Sequence, residues 1–192
     1  MRKQRRIVAG ITSLAIACLL FCCLSCNAIR LRPIVPHEGD GVFHDLSAGR
    51  FFFPGYGVSF PEFGLDKLYE ATFRVSRLPR LGPNCGVFIA IIDNDWRLGH
   101  DEERAAAGDV SLQVLDSRGV SVMHVRGRLR EFVWSNVCTK TPGEQHHMLY
   151  QYPASFFTPS TSELYTIRVS YSPDPALASY KGYAYLQCLV RP

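Results

Sequence analysis

The chain has 192 residues, of which 47% are hydrophobic, 20% charged and 12% aromatic. This length suits one globular domain, and the composition is too apolar for an intrinsically disordered protein. Its 15 glycines follow no three-residue period, which excludes a collagen-like chain.

The formal net charge of +4 originates at the N-terminus. Four of the 21 basic residues lie in residues 1–6, no acidic residue precedes Glu38, and the other 17 basic residues equal the acidic residues in number. The chain after residue 25 is therefore neutral. A neutral body offers no electrostatic footprint for nucleic acid, and we expect no nucleic-acid partner.

The N-terminal segment has the pattern of an export signal. Residues 1–6 are rich in positive charge, and residues 7–24 contain no charged residue. Positive charge held on the cytoplasmic side, followed by an apolar stretch, is typical of secretory signal peptides. We expect residues 1–25 to be a cleaved signal peptide that places the rest of the chain outside the cytoplasm.

The end of the apolar stretch resembles the lipobox of bacterial lipoproteins. Ser25, a small residue, stands directly before Cys26, although Cys23 occupies the place where the family prefers leucine. In these lipoproteins the cysteine thiol receives a diacylglyceryl group, the leader is removed, and the new amino terminus is acylated, for example with palmitate. The resemblance implies that Cys26 is lipidated and is the first mature residue.

Two alternatives to the lipid anchor stay open. An ordinary cleavage beside Cys26 would release a soluble secreted protein, whereas an uncut leader would anchor the chain in the inner membrane, because residues 7–26 are long enough to span a bilayer. Asn27 is not the aspartate that resembles an inner-membrane retention signal in enteric bacteria. We therefore expect the periplasmic face of the outer membrane, with residues 26–48 as lipidated cysteine and tether.

From residue 49 onward the sequence predicts β-strands. Apolar and polar residues alternate in three segments, residues 69–76, 110–114 and 165–171. Residues 116–119 have turn composition and predict a hairpin that continues into residues 120–125. Residues 86–92 are apolar at every position except one glycine, which predicts a central strand covered on both faces.

The remaining segments complete an all-β prediction. Further strands are predicted at residues 51–58, 129–137 and 182–190, and a short helix at residues 101–107. Strands at this spacing, with prolines between them, predict a single antiparallel β-sandwich over residues 49–192. It has roughly eight strands and resembles a jelly roll.

Three cysteines lie in the exported body: Cys85, Cys138 and Cys188. An oxidising compartment allows one disulfide among them and leaves one thiol. We favour Cys85–Cys138, because both lie at strand ends beside turn residues whereas Cys188 lies inside an apolar strand. Three buried free thiols are the alternative.

The densest acidic segment follows the strand predicted at residues 86–92. Carboxylates at alternate positions of a loop can converge on a hard cation such as calcium. This pattern predicts a metal site formed by Asp93, Asp95, His100 and Asp101. The same four residues would serve a metal-dependent envelope hydrolase, the alternative function. A solvated loop that contains a turn and a helix cap is the other interpretation.

Two further sets of residues are candidates for binding. Trp96 lies among charged loop residues and is the aromatic residue most suited to an exposed contact. Arg126, Arg128 and Arg130 alternate with other residues, and on a strand they would share one face. That face would meet either an anionic surface or solvent and neighbouring carboxylates.

His146 and His147 are adjacent in the chain. Neighbouring histidines can bind a transition metal, but on a strand their side chains would point to opposite faces. We interpret them as an exposed pair on a loop.

Residues 30–192 contain neither a Gly-x-Ser-x-Gly nor a His-Glu-x-x-His motif. We therefore predict a non-enzymatic binding or scaffolding module that is held at the membrane by its lipid. Its partner would be an envelope protein or a glycan, met through loops on the rigid sandwich. An immunity lipoprotein that neutralises a toxin belongs to the same class.

Overall fold

The computed structural model describes residues 36–46, 55–79, 85–93, 98, 106–138 and 145–189, with the backbone alone at 136–138, 145 and 189. Within these ranges two antiparallel sheets pack on each other, which confirms the predicted single β-sandwich. Most of the predicted helix at 101–107 lies outside the described residues. Its last two residues, Ala106 and Ala107, have no regular structure.

The described ranges contain twelve strands, more than the eight predicted, because three short strands and the six-residue strand Gln145–Tyr150 were not predicted. In chain order they are β1 (Glu38–Gly39), β2 (Val42–Asp45), β3 (Gly55–Gly64), β4 (Tyr69–Ser76), β5 (Cys85–Asp93), β6 (Asp109–Leu115), β7 (Ser121–Arg128), β8 (Val133–Cys138), β9 (Gln145–Tyr150), β10 (Phe156–Phe157), β11 (Leu164–Tyr171) and β12 (Lys181–Leu189). Two 3-10 turns, Leu129–Glu131 and Pro175–Leu177, complete the elements described.

The strands form two sheets, each with strands that are distant in the chain lying side by side. The first sheet runs β1-β4-β11-β6-β7, and the second runs β2-β3-β12-β5-β9-β8 with β10 paired to the end of β5. Alternation directs every second side chain of each strand into the space between the sheets. The core contains residues of both sheets, among them Val58, Val75, Ile89, Leu112, Leu149, Ile167 and Leu186.

The central strand of the second sheet is covered on both faces, as its sequence predicts. Val87, Ile89 and Ile91 of β5 point into the core between the sheets. Phe88 and Ala90 point the other way and are also buried, in a separate apolar cluster on the outer face. The sandwich therefore has apolar packing on one of its outer faces as well as between its sheets.

The chain crosses from the first sheet to the second after β7. Leu129 is buried in the 3-10 turn, and its carbonyl oxygen accepts a hydrogen bond from the Trp134 indole N–H at 3.1 Å. The Glu131 carboxylate accepts the backbone N–H of Arg128 at 3.0 Å. The predicted strand at 129–137 is thus wrong in its first residues and right from Val133 onward.

The predicted hairpin between β6 and β7 is confirmed, and Asp116 organises its turn. The Asp116 carboxylate accepts the backbone N–H of Val120 at 2.8 Å and that of Arg118 at 2.9 Å, and it pairs with the Arg118 guanidinium. The bond from Val120 is the main reason that the pKa of Asp116 lies below its usual value. Gly119 has a φ of 78°, a left-handed conformation that favours glycine.

A disulfide joins Cys85 of β5 to Cys188 of β12. These residues are register partners on neighbouring antiparallel strands, and both side chains are buried. The predicted Cys85–Cys138 pairing and the alternative of three free thiols are therefore wrong. Cys188 seemed unsuitable because it lies within an apolar strand, but strand pairing places opposite residues together whatever their sequence surroundings. Cys138 ends β8, and its side chain lies outside the described part.

Candidate functional site

Of the four residues predicted to form the acidic metal site, Asp93 alone lies within the described part of the chain. Asp93 ends β5 with its side chain buried, and its carboxylate accepts the backbone N–H of Leu98 at 2.8 Å. The same carboxylate oxygen lies 3.4 Å from Nε2 of His147, which is also buried. Asp95, Trp96, His100 and Asp101 lie outside the described residues. Asp93 thus faces the protein interior, where it holds the backbone at Leu98.

The adjacent histidines lie on a strand, which corrects their interpretation as an exposed loop pair. In β9 their side chains point to opposite faces, as strand geometry requires. His147 points inward and packs against Trp134, with ring centroids 6.2 Å apart. His146 points outward, and its Nδ1 is 2.7 Å from the Tyr183 hydroxyl. Among the residues that the structure describes, no three or more His, Cys, Asp or Glu side chains form a metal-binding group.

The predicted arginine cluster is split between two elements. Arg126 and Arg128 share the exposed face of β7, whereas Arg130 lies in the following 3-10 turn. All three side chains are exposed. The prediction of three cations on one strand face is thus right for two residues and wrong for Arg130, because the strand ends at Arg128.

The outer face of the second sheet carries the second apolar cluster of the protein. Four of its residues are buried, namely Phe88, Ala90, Met148 and Tyr185. Three partly buried aromatic residues pack against them: Tyr150, Phe156 and Tyr183. We call these seven residues the aromatic face. They lie on four adjacent elements, β12, β5, β9 and β10, and so form one continuous surface.

The rings of the aromatic face contact each other edge to face. The ring centroid of Phe88 lies 5.7 Å from that of Phe156 and 6.0 Å from that of Tyr150. Tyr152, in the turn after β9, is 68% exposed and extends the group through a contact with Phe156 at 5.8 Å. Edge-to-face contacts of this kind stabilise the arrangement beyond the burial of area alone. These contacts therefore hold the rings in fixed positions.

Polar atoms lie among the rings of the aromatic face. Burial raises the pKa of Tyr185 to about 12, so its hydroxyl remains protonated at neutral pH. This hydroxyl lies directly over Gly57, where the Cβ of any other residue would collide with it. Beside it, Nε2 of His44 lies 2.7 Å from the Ser59 hydroxyl. The face can thus make hydrogen bonds as well as apolar contacts.

Sequence reasoning found two strands of this face, β5 and β12, but missed β9, β10 and the face itself. A strand in a sandwich with one wet face should alternate between apolar and polar residues. Neither the apolar run of β5 nor Tyr183, Ala184, Tyr185 and Leu186 of β12 alternates in that way. This loss of alternation in two strands was the available signal, because it requires apolar cover on both sides.

Comparison of the chain with models of known protein families finds no match. Comparison with curated proteins likewise finds none. In the described part of the chain, none of the helical segments is long and apolar enough to cross a membrane.

Proposed function

We propose that the protein is a lipid-anchored, non-enzymatic binding module of the bacterial cell envelope, and that an envelope protein docks on its aromatic face. The aromatic face is the observation that carries this proposal. The outer faces of an isolated antiparallel sandwich meet solvent and are normally polar. The partly exposed rings of Tyr150, Phe156 and Tyr183, with the exposed Tyr152 beside them, form an apolar patch of the kind that marks a site of interaction.

The composition of the aromatic face favours a protein partner. The centres of protein interfaces are enriched in tyrosine, phenylalanine and methionine and depleted of charged residues. The aromatic face has three tyrosines, two phenylalanines and one methionine, and no acidic or basic side chain among its seven members. Tyr150, Phe156 and Tyr183 remain partly exposed and are available for contact.

The two outer faces of the sandwich differ sharply. The outward positions of β4, β6 and β11 are mainly serine, threonine, glutamine and charged residues, as solvation requires. The fold alone therefore does not require aromatic residues on an outer face. Their concentration on one of the two sheets supports a specific docking surface.

The proposed anchor limits where that surface can act. Pro36, the first described residue, lies ten positions after Cys26, with nine residues between them. A fully extended chain of this length spans at most about 35 Å. A lipid on Cys26 would therefore keep the start of the sandwich within about 35 Å of the membrane surface, where it would meet membrane or periplasmic proteins.

The anchor is tested by Cys26→Ala in the full chain. We expect the wild type to lack residues 1–25, to carry acyl chains in its mass, and to sediment with membranes. Cys26→Ala should have a different mass without acyl groups, because the modified thiol is absent. Mass spectrometry of detergent extracts measures both. Cys23→Ala is the matched control, since this residue leaves with the leader and the mature mass should not change.

An unchanged mass of Cys26→Ala with retained membrane attachment would contradict the lipid anchor. The docking surface would remain testable in that case, because it lies on the sandwich.

The docking surface is tested by photocrosslinking in intact cells. We place p-benzoylphenylalanine at position 152, where Tyr152 contacts Phe156 at the edge of the aromatic face. Separately, we place it at position 122, where Val122 is exposed on β7 of the other sheet. A discrete protein adduct should form from position 152 and not from position 122. Tyr152→Ala should then weaken binding of the identified partner on the order of 30-fold, the effect of removing an interface hot spot.

Tyr152 is largely exposed, so its replacement should leave the thermal unfolding of the full chain unchanged. The same adducts from both positions, or none from position 152, would overturn the docking proposal. An adduct that contains glycan in place of protein would reassign the aromatic face to a sugar ligand.

A further inference from the structure

The outer face of the first sheet has a regular array of polar side chains. In one row, register pairing places Arg168 of β11 between Thr72 of β4 and Gln113 of β6, and His124 of β7 continues the row. A parallel row is formed by Glu70, Ser170, Ser111 and Arg126. Neighbouring strands are about 4.8 Å apart, so each row crosses about 14 Å of the sheet.

This array encloses a shallow depression of about 490 Å³. Its lining includes Glu70, Thr72, Ser111, Gln113, Arg168 and Ser170. The depression therefore presents hydroxyl, amide and charged groups to a ligand that lies along the surface.

The charge of this surface is predominantly positive. Four arginines are exposed on its outward positions: Arg74, Arg126, Arg128 and Arg168. The acidic residues at outward strand positions are Glu70, Asp109 and Glu38, and Glu38 is paired with Arg77. Within the described residues none of the four guanidinium groups forms an ion pair. We call this surface the arginine face. Its four arginines outnumber Glu70 and Asp109 by two, and this excess of positive charge complements an anionic ligand.

The chemistry of the arginine face distinguishes among anionic ligands. A protein interface needs an apolar centre, and the lining of this depression is mostly polar and contains no aromatic side chain. Hydroxyl and amide groups between the cations suit a ligand that has many hydroxyls of its own as well as negative charges. Arginine binds carboxylates through two parallel hydrogen bonds, which adds geometric selectivity.

We propose that the arginine face binds an acidic polysaccharide whose strand lies across β4, β11, β6 and β7, with Arg168 and Arg126 each pairing with a carboxylate. From strand spacing and rise, the backbones at these two residues are about 12 Å apart. Sugar hydroxyls between the two carboxylates bond to Ser111 and Gln113 of β6, and those beyond Arg168 bond to Thr72 of β4. This site is on the opposite outer face from the proposed protein-docking surface, so either proposal can fail without the other.

The test measures binding of carboxylated oligosaccharides to the full chain in detergent by isothermal titration calorimetry. Oligogalacturonate is the probe, with dextran as the neutral polysaccharide and polyglutamate as the acidic polypeptide. We expect oligogalacturonate to bind, more weakly as salt is raised, and dextran not to bind. Polyglutamate should bind at least tenfold more weakly than oligogalacturonate, because it lacks the hydroxyls.

Arg168→Gln and Arg126→Gln should each weaken oligogalacturonate binding about tenfold or more. Arg168→Lys should lose part of the affinity, because it keeps the charge but not the two-pronged contact. Arg130→Gln is the matched control, since this exposed arginine lies in the 3-10 turn off the sheet face and should change affinity less than twofold. The three replaced arginines are all exposed, and thermal unfolding checks that each of the four variants is folded.

Four results would overturn the proposal. Dextran binding as tightly as oligogalacturonate would remove the need for charge, and equal effects of Arg168→Gln, Arg126→Gln and Arg130→Gln would place the ligand elsewhere. Polyglutamate binding as tightly as oligogalacturonate would reassign the face to acidic proteins. No binding of oligogalacturonate at low salt would likewise refute an acidic polysaccharide ligand.

Discussion

Replacing Cys188 by alanine is expected to lower the free energy of unfolding by about 4 kcal/mol. The disulfide to Cys85 closes a loop with a sequence separation of 103 residues, and such a long loop restricts the unfolded chain strongly. Urea unfolding of the full chain without reductant measures the loss. In excess reductant the stability of the wild type should approach that of Cys188→Ala, because neither protein then contains the cross-link.

Cys138→Ala is the control for this substitution and should leave the disulfide in place. A tryptic digest under non-reducing conditions identifies the pairing directly, because the three cysteines lie in different peptides, residues 81–97, 131–140 and 182–192. We expect a cross-linked pair of the first and third. A linked pair that contains residues 131–140, or equal stability losses for Cys138→Ala and Cys188→Ala, would show that the pairing is wrong.

Asp174→Ala is expected to destabilise the protein by about 3 kcal/mol. The buried Asp174 carboxylate accepts backbone N–H groups from Ala107, Gly108 at 2.7 Å and Ala176 at 2.8 Å. Its removal leaves three donors without this acceptor, and an unsatisfied buried donor costs more than a simple hydrogen bond contributes. The free energy of unfolding, measured by urea denaturation at neutral pH, should show the loss.

Asp109→Ala is the matched control for Asp174→Ala. The Asp109 side chain is exposed at the start of β6, so its removal should change stability by no more than about 0.5 kcal/mol. Hydrogen exchange adds a local measurement, since the amides of Ala107 and Gly108 should exchange faster in Asp174→Ala. Equal stability of the two variants would show that the hydrogen bonds from Ala107 and Gly108 to the Asp174 carboxylate do not stabilise the segment before β6.

The two outer faces give the sandwich two distinct chemical surfaces. The aromatic face is apolar with a few hydroxyls, whereas the arginine face is polar with unpaired cations. A protein partner on the first and an acidic polysaccharide on the second would make the module a bridge between envelope components. Because the surfaces lie on different sheets, substitutions at Tyr152 and at Arg168 would separate the two proposed binding activities in one protein.

Most strands were predictable because their residues alternate along the chain. The segments around Phe73, Leu112 and Ile167 each have one apolar and one polar face, and each is a strand of the first sheet. The strand that contains His146 and His147 was missed. Its inward histidine makes a polar contact with the buried Asp93, so a residue that reads as polar occupies a core position.

The candidate sites depended more strongly on tertiary contacts. The sequence predicted a metal site at the acidic segment because its charged residues lie close together in the chain. The side chain of Asp93, however, faces the protein interior. The aromatic face combines residues 88, 148, 156 and 183, and the arginine face combines residues 70, 111, 126 and 168. Neither set is close in sequence. Each forms only because strand order and register bring distant segments side by side.

What the sequence by itself determined is local: a leader with the pattern of an export signal, and a body whose two-residue periodicity requires sheets with a buried side. Periodicity records which side of a strand is apolar, because that depends on neighbouring residues alone. The tertiary structure decided which strands are adjacent, and with them the Cys85–Cys188 bond and the two outer faces. Strand pairing joins residues many positions apart, and no local pattern encodes such a pairing.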